Sequence, residues 1–152
     1  MNKKSVGIVL IIIFGLFGIG FMTYSEFSND KISVGEMKFS IPNGYHKGVN
    51  NSANDLNLTN GYNSIFFAKS EGSNVNKYIN EMNDFIKKQN RTPILSNFTA
   101  NNTLIYKVTI VNDTQYYRYW FVDGNTTYCI YTWDGNTNTD NLVTSLISSR
   151  TK

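Results

Sequence analysis

Residues 116–133 read YYRYWFVDGNTTYCIYTW: two runs rich in aromatic and β-branched side chains, joined by Asp123-Gly124-Asn125. Asp-Gly between alternating runs is a strong hairpin signal, because the tight turns that match strand twist need positive φ. Tyr116 to Val122 and Thr127 to Trp133 are therefore read as paired antiparallel strands. Just upstream, Leu104, Tyr106, Val108 and Ile110 share one face of a third strand, which turns at Asn112-Asp113. Three such strands in succession form a meander.

Working outward, the chain closes with a helix over about Thr139 to Ser149, whose Leu142, Val143, Leu146 and Ile147 make an apolar side. Thr139 or Asp140 can cap its first turn. Before the meander, Val75, Tyr78, Ile79, Met82, Phe85 and Ile86 form one helical stripe that begins at Ser73 or Asn74 and is stopped by Asn90 and Pro93. Earlier still, Met37, Phe39 and Ile41 alternate with polar residues up to a Pro42-Asn43-Gly44 turn, Leu56 and Leu58 suggest a short strand, and Ser64 to Lys69 is a clearer one. Helices separated by runs of antiparallel strands indicate an α+β domain. The expectation is a meander sheet with both helices on one face.

The N-terminus carries a different signal. Val6 to Met22 is uncharged and almost wholly apolar, directly behind Lys3 and Lys4, with Glu26 and Asp30 following. As a helix, residues 6–24 would reach roughly 28 Å, close to the ~30 Å hydrocarbon thickness of a bilayer. Cation retention on the cytoplasmic side would leave the rest of the chain outside. The division expected is a transmembrane anchor at 1–25, a polar linker at 26–36 and an extracytoplasmic domain at 37–150. A cleaved secretory signal is the rival reading, but no Ala-x-Ala site follows the run. The lone Cys129 is far from any acylation site, and no Glu lies just inside the apolar run as a pilin-like start would want.

Lys3 and Lys4 supply two of the fourteen basic residues, so the exported part is close to neutral against eleven acids. That removes the electrostatic case for nucleic acid, which needs a concentrated basic face. A single cysteine forms no internal disulfide, and Cys129 within Tyr128-Cys129-Ile130-Tyr131 reads as a small core residue rather than a nucleophile. The only histidine, His46, lies in a Gly-flanked polar stretch without partners of catalytic or zinc-binding spacing. No nucleophile–base pair or paired carboxylates stand out, so no catalytic residue, cofactor or enzymatic activity is expected.

Two features reach beyond core needs. Alternation places Tyr116, Arg118, Trp120 and Val122 on the face opposite Tyr117, Tyr119 and Phe121. With both helices on one side, Tyr116, Arg118 and Trp120, joined by Lys107, would form an exposed aromatic–cationic patch suited to a glycan or an envelope protein. A two-sided core is the competing explanation. Asp134, Asn136, Asn138 and Asp140 alternate like the start of a calcium loop, but Thr139 and Ser145 stand where the glycine and the bidentate glutamate belong, so a helix-capping loop explains them better.

Asparagine is abundant, at 22 of 152 residues, and seven occur as Asn-x-Ser/Thr: Asn50, Asn57, Asn90, Asn97, Asn101, Asn112 and Asn125. These are chemically competent N-glycosylation acceptors if the host has the machinery.

Phe39-Ser40-Ile41-Pro42-Asn43-Gly44-Tyr45 behind an apolar anchor resembles the opening strand of PsbP-like domains, and of small exported archaeal and bacterial proteins of unknown function. The resemblance implies a meandering antiparallel sheet flanked by helices over about residues 32–149. It implies accessory or binding roles and carries over no catalytic residue. The functional expectation is a membrane-anchored extracytoplasmic binding or interaction module. A structural, N-glycosylated envelope protein is the alternative, and a secreted enzyme comes third.

Overall fold

The computed structural model describes residues 27–48, 56–111, 115–133 and 139–152. The apolar run at 6–24 lies outside them, as do Asn50, Asn112 and Asp134 to Asn138. No helix among the described residues is long and apolar enough to cross a membrane.

Two strands, β1 (Phe27–Val34) and β2 (Met37–Pro42), form a separate antiparallel hairpin. Residues expected as part of a linker thus supply a whole strand, and Ile32 and Val34 explain why: both are buried and alternate toward the core. Gly35 takes φ +63° at the turn, the place two-residue loops reserve for glycine.

The main sheet is antiparallel throughout, with spatial order β3 (His46–Lys47), β4 (Leu56–Thr59), β5 (Ser64–Glu71), β9 (Thr126–Trp133), β8 (Tyr116–Asp123), β7 (Thr103–Ile110), β6 (Pro93–Ala100). The meander legible in the C-terminal half therefore has a fourth member, β6, joined to β7 through Asn101 and Asn102. Both take positive φ, 46° and 58°, as a type I′ hairpin turn demands and as Asn tolerates.

Helix α1 (Val75–Lys88) starts at Asn74, whose side chain accepts the Lys77 N–H, and ends with Lys87 and Lys88 at the negative end of its dipole. Helix α2 (Thr139–Ser148) carries Asp140 in its first turn. The two helices lie on opposite faces of the main sheet, which corrects the expectation of a single helical side. One core joins Val143, Leu146 and Ile147 of α2 and Phe39 and Met37 of the hairpin to Ile65, Phe67, Ile105, Tyr119, Phe121 and Ile130 of the sheet. The second joins Val75 and Ile86 of α1 to Val108 and Trp120, with Tyr78, Ile79, Met82, Cys129 and Val122 packed around them. Because strand residues alternate, β8 feeds both: Tyr119 and Phe121 into the first, Trp120 and Val122 into the second.

The chain end is tied to the hairpin. Lys38 N–H donates to Thr151 O at 2.8 Å, Thr151 N–H returns to Lys38 O at 2.9 Å, and Lys152 pairs with Asp123 at 2.8 Å.

Candidate aromatic binding face

Helix α1 covers only part of its sheet face. On the helical wheel, Asn76, Asn80 and Asn83 fall on one flank of its apolar stripe, and this flank lines a cleft with Leu95, Asn97 and Tyr106 of β6 and β7. The helix itself packs on β6 and β8. Tyr78 and the 55%-exposed Phe85 occupy its other flank; the Tyr78 hydroxyl donates to the Glu71 carbonyl at the end of β5.

The uncovered part carries an aromatic row set by strand register. Phe66 of β5 pairs with Tyr131 of β9, which pairs with Arg118 of β8. One step along, Trp133 pairs with Tyr116. Phe66 and Tyr131 stack with centroids 4.8 Å apart and planes 7° from parallel. Trp133 tilts against Phe66 at 5.5 Å, and the Arg118 guanidinium lies 5.1 Å from the Tyr131 ring centre. Phe66, Tyr131, Trp133 and Arg118 are half-buried and Tyr116 is 41% exposed. This surface offers flat rings and one guanidinium, with no nucleophile or paired acid among its described residues.

Two of the four residues expected in the patch belong to it, Arg118 and Tyr116. Trp120 does not: at 4% exposure it is buried under α1, the outcome of a two-sided core. Lys107 does not either, because it is paired with Tyr119 and so points to the α2 face. There its Nζ donates to the Asp140 carboxylate at 2.7 Å, and the Tyr119 hydroxyl donates to the same oxygen at 2.8 Å. Lys107 also lies 4.7 Å from the Tyr117 ring centre. This group, with only 14% of the lysine side chain exposed, fixes the first turn of α2 to the sheet. Asp140 is therefore engaged by a lysine and a tyrosine; its companions in the calcium-like pattern, Asp134, Asn136 and Asn138, lie outside the described residues. Among the described residues no three His, Cys, Asp or Glu side chains cluster as a metal site.

Cys129 sits behind α1 in the Trp120 cluster, where burial pushes its thiol up to about 12 against a smaller lowering by Arg118. It is a poor nucleophile there. His46 is exposed on the short edge strand β3. A polar cleft of about 390 Å³ lies at the opposite end of the sheet, lined by Glu36, Lys69, Ser70, Glu71, Thr126 and Tyr128. The Tyr128 hydroxyl titrates above its ordinary value, first through burial and then through Asp123 and Glu36. Of the glycosylation acceptors, Asn90, Asn97, Asn101 and Asn125 are exposed, while Asn57 packs its amide where a Gly48 side chain would stand.

Read from sequence, Tyr131 and Trp133 belong to the aromatic run beyond core needs but not to the patch around Arg118, and Phe66 belongs to neither. Tyr131 and Trp133 share the aromatic run of residues 116–133, but placing Phe66 beside them needs the β5–β9 pairing. That contact spans some sixty residues of chain, and no local pattern announces it.

No family model matches this chain, and no curated protein sequence does. Among solved structures, the chain is similar to the solution structure of cyanobacterial PsbP (CyanoP) from Synechocystis sp. PCC 6803, with a TM-score of 0.54 and 12% identity, covering 80% of this chain and 91% of that one. At this identity the likeness is one of fold: the α+β domain is PsbP-like.

Proposed function

We propose that this protein is a non-catalytic, membrane-anchored binding module facing away from the cytoplasm. The surface assigned to binding is the row Phe66, Tyr131, Arg118, Trp133 and Tyr116. The observation that carries the reading is the open aromatic–guanidinium half of the α1 face. Flat rings beside a guanidinium suit the apolar faces and hydroxyls of sugar rings, so an envelope glycan is the ligand class assigned. The apolar run at 6–24, behind Lys3 and Lys4, supports the anchored placement, with the N-terminus cytoplasmic.

Calorimetric titration of the full chain in detergent with solubilised glycans of its own cell envelope tests the ligand. Heat that vanishes in Arg118→Ala is expected; no heat with any envelope glycan refutes it. Intact mass after extraction from native membranes tests the anchor. The full-length polypeptide mass is expected, and loss of the first ~20–25 residues would mean a removed signal.

The alternative, a structural envelope protein coated in sugar, draws on the exposed acceptors Asn90, Asn97, Asn101 and Asn125. The same spectrum would reveal it as added hexose mass.

A further inference from the structure

The two edges of the main sheet are unlike. At one, β3 has two residues, His46 and Lys47, both exposed. Short strands carrying basic residues are among the devices that discourage edge pairing. At the other, β6 has eight residues, Pro93-Ile94-Leu95-Ser96-Asn97-Phe98-Thr99-Ala100, none charged, paired with β7 at every position without a bulge. Its only proline is the first residue. No described strand lies outside it, and Ile94 and Leu95 are 55% and 53% exposed.

The turn tells which main-chain groups point outward. In a hairpin closed by two residues, the flanking pair, here Ala100 and Thr103, exchanges both hydrogen bonds, and bonded pairs then alternate along the ladder. Phe98, Ser96 and Ile94 therefore bond inward to β7. The N–H and C=O groups of Leu95, Asn97 and Thr99 face away from the sheet. Pro93 falls in this outward set too, so its missing N–H costs the β6–β7 ladder nothing.

We infer that β6 is a pairing edge for a second copy of this chain, two β6 strands meeting antiparallel about a two-fold axis at Asn97 to make one continuous sheet. A two-fold seam sets the strand against its own copy, residue i against j and j against i, so charges of one sign on it would be brought together; β6 has none. With the axis at Asn97, Leu95 faces Thr99 of the other copy, and the two Asn97 amides, each donor and acceptor, face one another. Each outward N–H of Leu95, Asn97 and Thr99 then meets an outward carbonyl. Moving the axis to Ser96 would instead bring Pro93 into the seam opposite Thr99.

Opposed residues in an antiparallel pair that exchange hydrogen bonds have Cα atoms ~5.5 Å apart, a separation a disulfide spans. The full-length Asn97→Cys chain, expressed at native level and mildly oxidised in whole cells, should therefore run on a non-reducing gel at twice the chain mass. Thr99→Cys, on the same strand and equally outward, faces Leu95 and should remain at the monomer mass, as should the wild-type chain, whose Cys129 is half-buried behind α1. A monomeric Asn97→Cys chain overturns the inference, and so does equal cross-linking of both variants, which would report random collision. Neither outcome depends on ligand binding at the aromatic row.

Discussion

The two faces of the main sheet are built from the same strands and end differently. Against one lie α2 and the β1–β2 hairpin, and nearly every residue of that core is excluded from water. Against the other, among the described residues, lies α1, and it covers Trp120 and Val108 while leaving Phe66, Tyr131 and Trp133 only half-buried. The difference follows from what each layer can reach. A helix is about 10–12 Å wide with its side chains and strands are ~4.8 Å apart, so one helix shields two or three strands of seven. The closed face and the patch under α1 hold the two buried cores. The open half carries large rings that burial does not explain, and it is there that binding is proposed.

The largest expected effect breaks the covered part of the α1 face. Trp120→Ala should cost about 3–5 kcal/mol of unfolding free energy, and Trp133→Ala on the open half only about 1 kcal/mol. Chemical denaturation of both variants checks this; equal losses would mean that the two halves are equally buried.

Alkaline pH should sharpen the same contrast through Cys129. Its thiol titrates near 12 in the fold against an ordinary 9.0, so between these values the folded state holds a proton that the unfolded chain has released. Stability therefore falls as pH rises from about 9 toward 12, in the same direction as the raised Tyr45 and Tyr128 hydroxyls. Cys129→Ser, whose hydroxyl does not titrate there, should flatten the early part of that fall in denaturation curves recorded across this range. Cys129 should also resist maleimide at pH 8 until the chain is unfolded.

On the closed face, Lys107→Ala removes the cation beneath α2 and leaves the half-exposed Asp140 carboxylate with the Tyr119 hydroxyl. A loss of about 0.5–1.5 kcal/mol is expected by denaturation, with that of Tyr119→Phe smaller and non-additive, since both bond one oxygen. The smallest effect belongs to the open half. Arg118→Ala gives up a cation–π contact at a partly exposed site, about 0.5–1 kcal/mol. Its thermal midpoint should hardly move while glycan binding is lost.

Much of this architecture is legible in the residues. Period-2 alternation marked β2, β5, β7, β8 and β9, and the stripe from Val75 to Ile86 marked α1, because each of these has a buried face to write into the sequence. β6 escaped for the converse reason. As an edge strand exposed through Ile94 to Asn97, it has little burial to impose alternation, and its turn is written Asn-Asn, where Asn101 also reads as a glycosylation acceptor. β1 runs through Ser28-Asn29-Asp30-Lys31 after Phe27, so its apolar alternation is confined to Ile32 and Val34. The side on which α1 packs is a tertiary choice. Both helices have one apolar stripe, and nothing local says which face of a two-sided sheet each must cover. That choice buried Trp120 and left Phe66, Tyr131 and Trp133 as the half-buried aromatics, while the β7–β8 register set Lys107 on the opposite face.

The most direct measurement is acrylamide quenching of the full chain's two tryptophans, with and without soluble envelope glycan. The open half-face predicts one shielded population, Trp120, and one quenchable population, Trp133, which the glycan protects in the wild-type chain but not in Arg118→Ala. Two equally shielded tryptophans, or quenching of Trp133 that no glycan alters, would contradict it.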